Sequence, residues 1–331
     1  MRLALFLAAI VWYLCARLIS ASAAIGLAVR FNLSDSEPLL QALMLLFLVL
    51  VGLALLRAME GVEGPLHMVL GMPVRSTARE EWAMGAAIGW GLAVVAVLPM
   101  VLTRSLSVQL WTEPRAWSLA LLSLLTLAVA TLANTLALFG YPFQRLVEAS
   151  GPVRATVLLV IGVAVYTVAV PVPYGTPEGT PILVAILAAM LLGLGWLRTH
   201  AIWLSWGLHF AAATAVAVLF GLPLAGDNSF GSVVDARPVG ATWLTGGAYG
   251  PAGAAVTIVV LLAAAAVLVR VTDDYAWDYT RPPIVAAGYD VTVAPPPVHA
   301  EMERSEAAPG SLVQIQPLAP PAAEPPGEVS E

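Results

Sequence analysis

The stretch 193–226 reads GLGWLRTHAIWLSWGLHFAAATAVAVLFGLPLAG. From Ala201 onward it stays apolar for the roughly 20 residues that a helix needs to cross the hydrocarbon core of a bilayer. One histidine, His209, lies well inside that run. An imidazole at such depth is costly without a polar partner or a task, so His209 is a candidate functional residue. Three roles are open to it. It can be a core group bonded to a backbone carbonyl, Thr214 or Ser205, a group that binds a ligand or peptide, or a catalytic group.

Outward from this stretch the chain keeps the same character. Hydrophobic residues make up 60% of it and charged ones 11%, whereas a soluble protein would carry roughly twice that charged share. Eight apolar runs, at about 3–28, 39–58, 83–103, 117–141, 155–172, 181–197, 201–224 and 249–270, predict an all-α polytopic transmembrane bundle. The first run has a signal-peptide flavour, with Arg2 ahead of it and Ala21-Ser22-Ala23 inside it. Arg17 and the apolar residues that follow favour a retained helix. Residues 273–331 are rich in Pro, Ala and Glu and too poor in apolar residues to pack, which predicts a disordered cytoplasmic tail.

Arginines set the expected orientation. With eight spans, Arg2, Arg57, Arg75, Arg79, Arg145, Arg154, Arg198, Arg270 and Arg281 share one side, and Arg30, Arg104, Arg115 and Arg237 the other. That asymmetry predicts a cell-membrane protein with both termini in the cytoplasm. Trp82, Trp111, Trp117 and Trp203 flank spans as interfacial anchors would. Glu80 and Glu81 precede the third span and read as solvated charges, and the loop 60–82 is long enough to lie along the membrane surface. Cys15, the only cysteine, excludes an intramolecular disulfide and reads as a small core residue. No basic, aromatic-interleaved patch points to nucleic acid, so membrane lipid is the first expected partner. Nucleotide-binding loops, HExxH and GxSxG are all missing.

Several short stretches together resemble one family. Arg198-Thr199-His200-Ala201-Ile202-Trp203 with Gly207-Leu208-His209-Phe210, and then Phe220-Gly221-Leu222-Pro223-Leu224-Ala225-Gly226, are similar to an "LRTGSLW…GLHFAWN…FGLPVSG" pattern. Leu70-Gly71-Met72 followed by the 75–89 stretch resembles "LGL…RE…GxxxG". Gly140-Tyr141-Pro142-Phe143-Gln144-Arg145-Leu146 resembles the end of "EExxFRGYLFQRL", and Thr245-Gly246-Gly247 with Gly250-Pro251-Ala252-Gly253 the motif "TGG…FGPEG". The pattern is that of the CAAX-protease and bacteriocin-processing family of intramembrane peptidases, which includes the lysostaphin-resistance proteins. It covers about residues 60–270, in order. The resemblance divides the chain into N-terminal transmembrane helices (1–59), a peptidase-like core (60–272) and the tail (273–331).

In that family a glutamate pair activates water, an arginine follows, and histidines with an asparagine orient the water, bind a metal or stabilise the oxyanion. Carried over, the glutamate pair falls on Asn134 and Thr135, and the arginine on Phe139. The FxxxH histidine falls on Thr167, four residues after Val163, and the HxxxN asparagine on Ala213. His209 alone is retained. Neither Asn nor Thr accepts a proton as a carboxylate does. Glu148 lies roughly 20 Å along a continuous helix from Asn134, at about 1.5 Å per residue, too far unless the chain folds back. The family varies in its use of a divalent metal. Here only His200, at the membrane edge, accompanies His209, against the three protein ligands a catalytic zinc takes, so no metal or other cofactor is expected.

The resemblance therefore implies a degraded pseudo-peptidase that binds a membrane-protein, prenylated-peptide or lipid partner without cleaving it. The alternatives are an active intramembrane endopeptidase with an atypical site and, as a third class, a small-solute transporter. The last would show paired halves around a midplane site, and none is evident.

Overall fold

The computed structural model describes residues 2–61, 67, 70–74, 76–170 and 172–272. The tail at 273–331, with Arg281 and His299, lies outside the described residues, as does Arg75.

Helices dominate. In chain order they are α1 (Arg2–Phe31), α2 (Glu37–Glu60), α3 (Ala78–Leu102), α4 (Pro114–Phe139), α5 (Tyr141–Ser150), α6 (Pro152–Ala169), α7 (Thr180–Thr199), α8 (Ile202–Thr214), α9 (Thr242–Thr245) and α10 (Ala255–Val271). Pro38, Pro114, Pro142, Pro152 and Pro181 open five of them, where a missing N–H costs nothing. Gly61, in the left-handed region at φ 69°, closes α2. Eight helical segments are long and apolar enough to cross a membrane. The chain is a multi-pass helical membrane protein.

Ion pairs mark the two ends of the bundle. Arg2 meets Glu148 at 3.5 Å and Arg145 meets Glu60 at 3.1 Å at one end. Arg115 meets Asp35 at 3.2 Å at the other. At that second end Leu106–Leu110 (β1) pairs antiparallel with Val234–Pro238 (β2), from Leu106 opposite Pro238 to Leu110 opposite Val234. This small sheet is absent from the all-helical expectation. β1 is largely exposed, and the sheet is anchored by its ladder and by Ala236 and Leu106, which pack into a small core cluster.

The closest helix pairing joins α3 and α8. Lipid tails are as apolar as leucine, so helices in a bilayer associate through tight packing, which small residues permit. Gly85 and Gly89, four residues apart on α3, supply it: a Cβ at either would overlap the carbonyl oxygen of Leu204 or Leu208. Gly207 of α8 returns the approach against the Trp82 carbonyl. Ser205 donates to Leu192 O at 2.7 Å and ties α8 to α7.

Two sequence expectations need correction. Glu81 is fully buried, not solvated, and accepts a 2.8 Å hydrogen bond from Thr77 Oγ1, while Glu80 is exposed. Cys15 faces outward. It sits on the side of α1 that carries Leu14 and Leu18, both exposed, rather than on the buried line of Tyr13, Ala16 and Ser20. The described part of the 60–82 loop is mixed, with His67, Val74 and Ser76 exposed. Leu70, Gly71 and Pro73 are buried, and Gly71 O accepts Ile202 N at 2.9 Å. An apolar segment is inserted there between helix ends, where its backbone finds partners.

Candidate functional site

Asn134 and Thr135 are consecutive on α4, so their side chains diverge by about 100° and face different helices. Asn134 faces α1, where Tyr13 OH donates to its Oδ1 at 2.7 Å. Thr135 is fully buried and faces α8, its Oγ1 3.5 Å from His209 Nδ1. That contact is at the outer limit of a hydrogen bond. Neither of the side chains expected to hold the imidazole does so. Ser205 is committed to Leu192 O, and Thr214 Oγ1 is buried without a hydrogen-bond partner.

The remaining positions are apolar or elsewhere. Ala213, one turn beyond His209, is buried with Leu127 and Ala217. Phe139 is buried and edge-on to Phe143 at 6.2 Å, and Phe143 is edge-on to Trp196 at 5.2 Å. An aromatic stack thus occupies the helix end where the resemblance would put a guanidinium. Thr167 turns back on its own helix, donating to Val163 O at 2.9 Å. Its helix, α6, packs on α5 and α7 and has no substantial contact with α8. The structure therefore joins Thr135 to His209, keeps Asn134 one residue away on another face, and leaves Phe139 and Thr167 apart from them.

Aromatic side chains cluster next to His209 on α8. Trp82 lies 6.0 Å from Trp206 and 5.9 Å from Phe210, the residue after His209. Trp206 Nε1 donates to Ala128 O at 3.3 Å, bringing α4 into the cluster, while Trp82 Nε1 is buried without a hydrogen-bond partner. Together these side chains offer a hydroxyl, an imidazole and aromatic faces. That set can orient a polar group within an apolar ligand, but it supplies no carboxylate base. Among the described residues no three His, Cys, Asp or Glu side chains gather as a metal set.

Sequence reasoning missed two polar clusters. At the first end of the bundle, Tyr141 OH hydrogen-bonds Glu60, and the Arg145 guanidinium lies 5.0 Å from the Tyr141 ring while pairing with Glu60 and, at 2.6 Å, Glu148. Glu148 thus belongs to an interfacial ion network on α5 and not to the surroundings of His209. Within the bilayer, Arg17 NH1 donates to Tyr13 OH at 3.4 Å, and its guanidinium lies 5.5 Å from the Tyr166 ring. The i, i+4 spacing of Tyr13 and Arg17 on α1 was a legible signal for the first of these contacts.

The stretches on which the family resemblance rests gather at the two ends. A Cβ at Gly71 would sit 3.5 Å from Ile202, 3.6 Å from Gly140 and 3.7 Å from Trp196. Three separate stretches therefore meet there. At the opposite end Gly226 N donates to Tyr249 O at 3.2 Å, and Gly250, at φ 74°, packs on the Pro223 carbonyl where a Cβ would clash. Beside the sheet at that end a cavity of about 520 Å³ is lined by Trp111, Gly221, Phe230, Asp235 and Arg237 among others. Asp235 and Arg237 pair with each other at 3.0 Å. No family model, curated protein or solved structure matches this chain.

Proposed function

We propose that the chain is a membrane-embedded pseudo-peptidase of the CAAX-protease and bacteriocin-processing type. It keeps a helical scaffold and a site centred on His209, and it binds a membrane-protein, prenylated-peptide or lipid partner there without cleaving it. The observation that carries this reading is the Thr135–His209 contact across α4 and α8. The resemblance predicts a carboxylate and a histidine at these two positions, and the pair that meets is a hydroxyl and a histidine. A neutral hydroxyl cannot take the proton that water must lose to attack a peptide carbonyl. The aromatic cluster of Trp82, Trp206 and Phe210 supports retention of an apolar chain at that site. The arginine distribution supports a cell-membrane location with both termini in the cytoplasm.

The test uses full-length protein in detergent or nanodiscs with a farnesylated CAAX peptide. Expected is saturable binding that His209→Ala weakens, with no cleavage above that of the His209→Ala protein. Cleavage by the wild type that the substitution abolishes would establish an active peptidase instead. Absence of binding by wild-type protein would overturn the partner-binding reading.

A further inference from the structure

Arg17 is the one basic residue in the interior of an apolar run that carries the first span, and a cation in that position is costly unless it is paired or functional. Among the described residues no carboxylate pairs with it: the ion pairs engage Arg2, Arg115, Arg145 and Arg237. Its surroundings are phenolic. Arg17 NH1 donates to Tyr13 OH at 3.4 Å, and the guanidinium lies 5.9 Å from the Tyr13 ring and 5.5 Å from the Tyr166 ring. Tyr13 passes its own proton to Asn134 at 2.7 Å, so it is oriented to accept from Arg17. The phenols of Tyr13 and Tyr166 take up part of the guanidinium's five N–H groups and bring no carboxylate to it.

The geometry of the two helices gives this cation a setting. The 18 residues of α6 span about 27 Å and the 30 of α1 about 45 Å. Tyr166 belongs to the last turn of α6, so Arg17 lies where α6 stops and α1 continues. Other positions near these two groups are open. Gly162, one turn before Tyr166, has nothing within 4 Å of where a Cβ would stand, and Val165 is 63% exposed. On α1, Leu18 is 72% exposed beside Arg17. A partly buried cation thus stands where α6 ends, near exposed apolar positions of α1 and α6.

We propose that Arg17 and Tyr166 form a binding site for an anionic amphiphile, with its acidic head on these two side chains and its hydrocarbon chain along Leu18, Gly162 and Val165. A carboxylate or a phosphate head would accept the unused N–H groups in charge-assisted hydrogen bonds, which Arg favours over Lys for its forked geometry. The aliphatic chain would cover apolar surface that neighbouring helices leave uncovered. The site stands on Arg17 and its tyrosines, and it is independent of the peptidase reading of His209.

The experiment takes the full chain in phosphatidylcholine nanodiscs and measures binding of laurate, dodecyl phosphate, methyl laurate and dodecyltrimethylammonium. At least one of the two anions binds, and methyl laurate and the cation bind at least about tenfold more weakly, the scale of one hydrogen bond to a charged group. Laurate alone assigns a carboxylate head, dodecyl phosphate alone a phosphate head. Arg17→Gln loses at least tenfold for the anion and Arg17→Lys keeps part of it. Because Arg17→Gln could fail to fold, wild-type protein is also labelled with a diazirine analogue of the bound anion, and the adducts fall on α1 near Leu18 and on α6 near Val165. Equal binding of methyl laurate, unchanged affinity in folded Arg17→Gln, or adducts confined to other helices would each overturn the proposal. So would binding only of a peptide with a free C-terminal carboxylate.

Discussion

Tyr13 on the first helix donates a 2.7 Å hydrogen bond to Asn134 on the fourth, across 121 residues of sequence. That bond ties the N-terminal helices to the half of the chain that holds His209. It also sets the polarity of a polar seam, because a hydroxyl that donates to Asn134 is left to accept from Arg17.

Removing that hydroxyl separates two groups at once. Tyr13→Phe leaves Asn134 Oδ1 without its donor and Arg17 without its acceptor. The expected cost is about 1–2 kcal/mol, within the range for hydrogen bonds between transmembrane helices. Thermal unfolding in detergent measures it, and a Tyr13→Phe/Asn134→Leu double-mutant cycle returns the pairwise coupling. Zero coupling would show that the bond contributes nothing to stability.

Close approach of α3 and α8 depends on three hydrogens in place of side chains. Gly85→Leu or Gly207→Leu must push backbone from backbone, with an expected loss of at least about 3 kcal/mol, seen as aggregation or failure to purify. Gly91, with open space around its Cβ position, is the control on the same helix. Gly91→Ala is expected to be neutral or slightly stabilising. Equal behaviour of the Gly85 and Gly91 variants would refute the close-packing account.

The Glu60–Arg145 pair has side chains only 8% and 10% exposed, so breaking it strands a buried charge. Arg145→Met alone is expected to cost about 2–4 kcal/mol, and Glu60→Leu with Arg145→Met to recover part of that loss. Chemical or thermal unfolding of the three proteins decides the order. A double variant less stable than Arg145→Met would contradict it.

Adjacent glutamates give the simplest contrast. Glu81→Ala removes a fully buried carboxylate bonded to Thr77, and about 1–3 kcal/mol is expected to be lost. Glu80→Ala, at an exposed site, should change stability by less than about 0.5 kcal/mol. Matching melting temperatures for the two variants would place Glu81 in solvent after all.

Composition and run length alone determined that eight helices of this chain are long and apolar enough to cross a membrane, and a lone His209 marked one interior position for attention. Those features are legible because transfer into a bilayer is summed residue by residue along each segment, without reference to neighbours. Rotation of each helix was not legible. In helices apolar all round, hydrophobicity does not distinguish a face toward lipid from one toward protein. Cys15 outside, Glu81 inside, and Thr135 rather than Ser205 or Thr214 against His209 were therefore decided only by tertiary packing. The small sheet was hidden for a related reason, since its pairing of Leu106–Leu110 with Val234–Pro238 depends on helix ends brought together from distant parts of the chain. The same holds for Arg17: the sequence shows a cation in an apolar run, and only the fold supplies Tyr166 beside it.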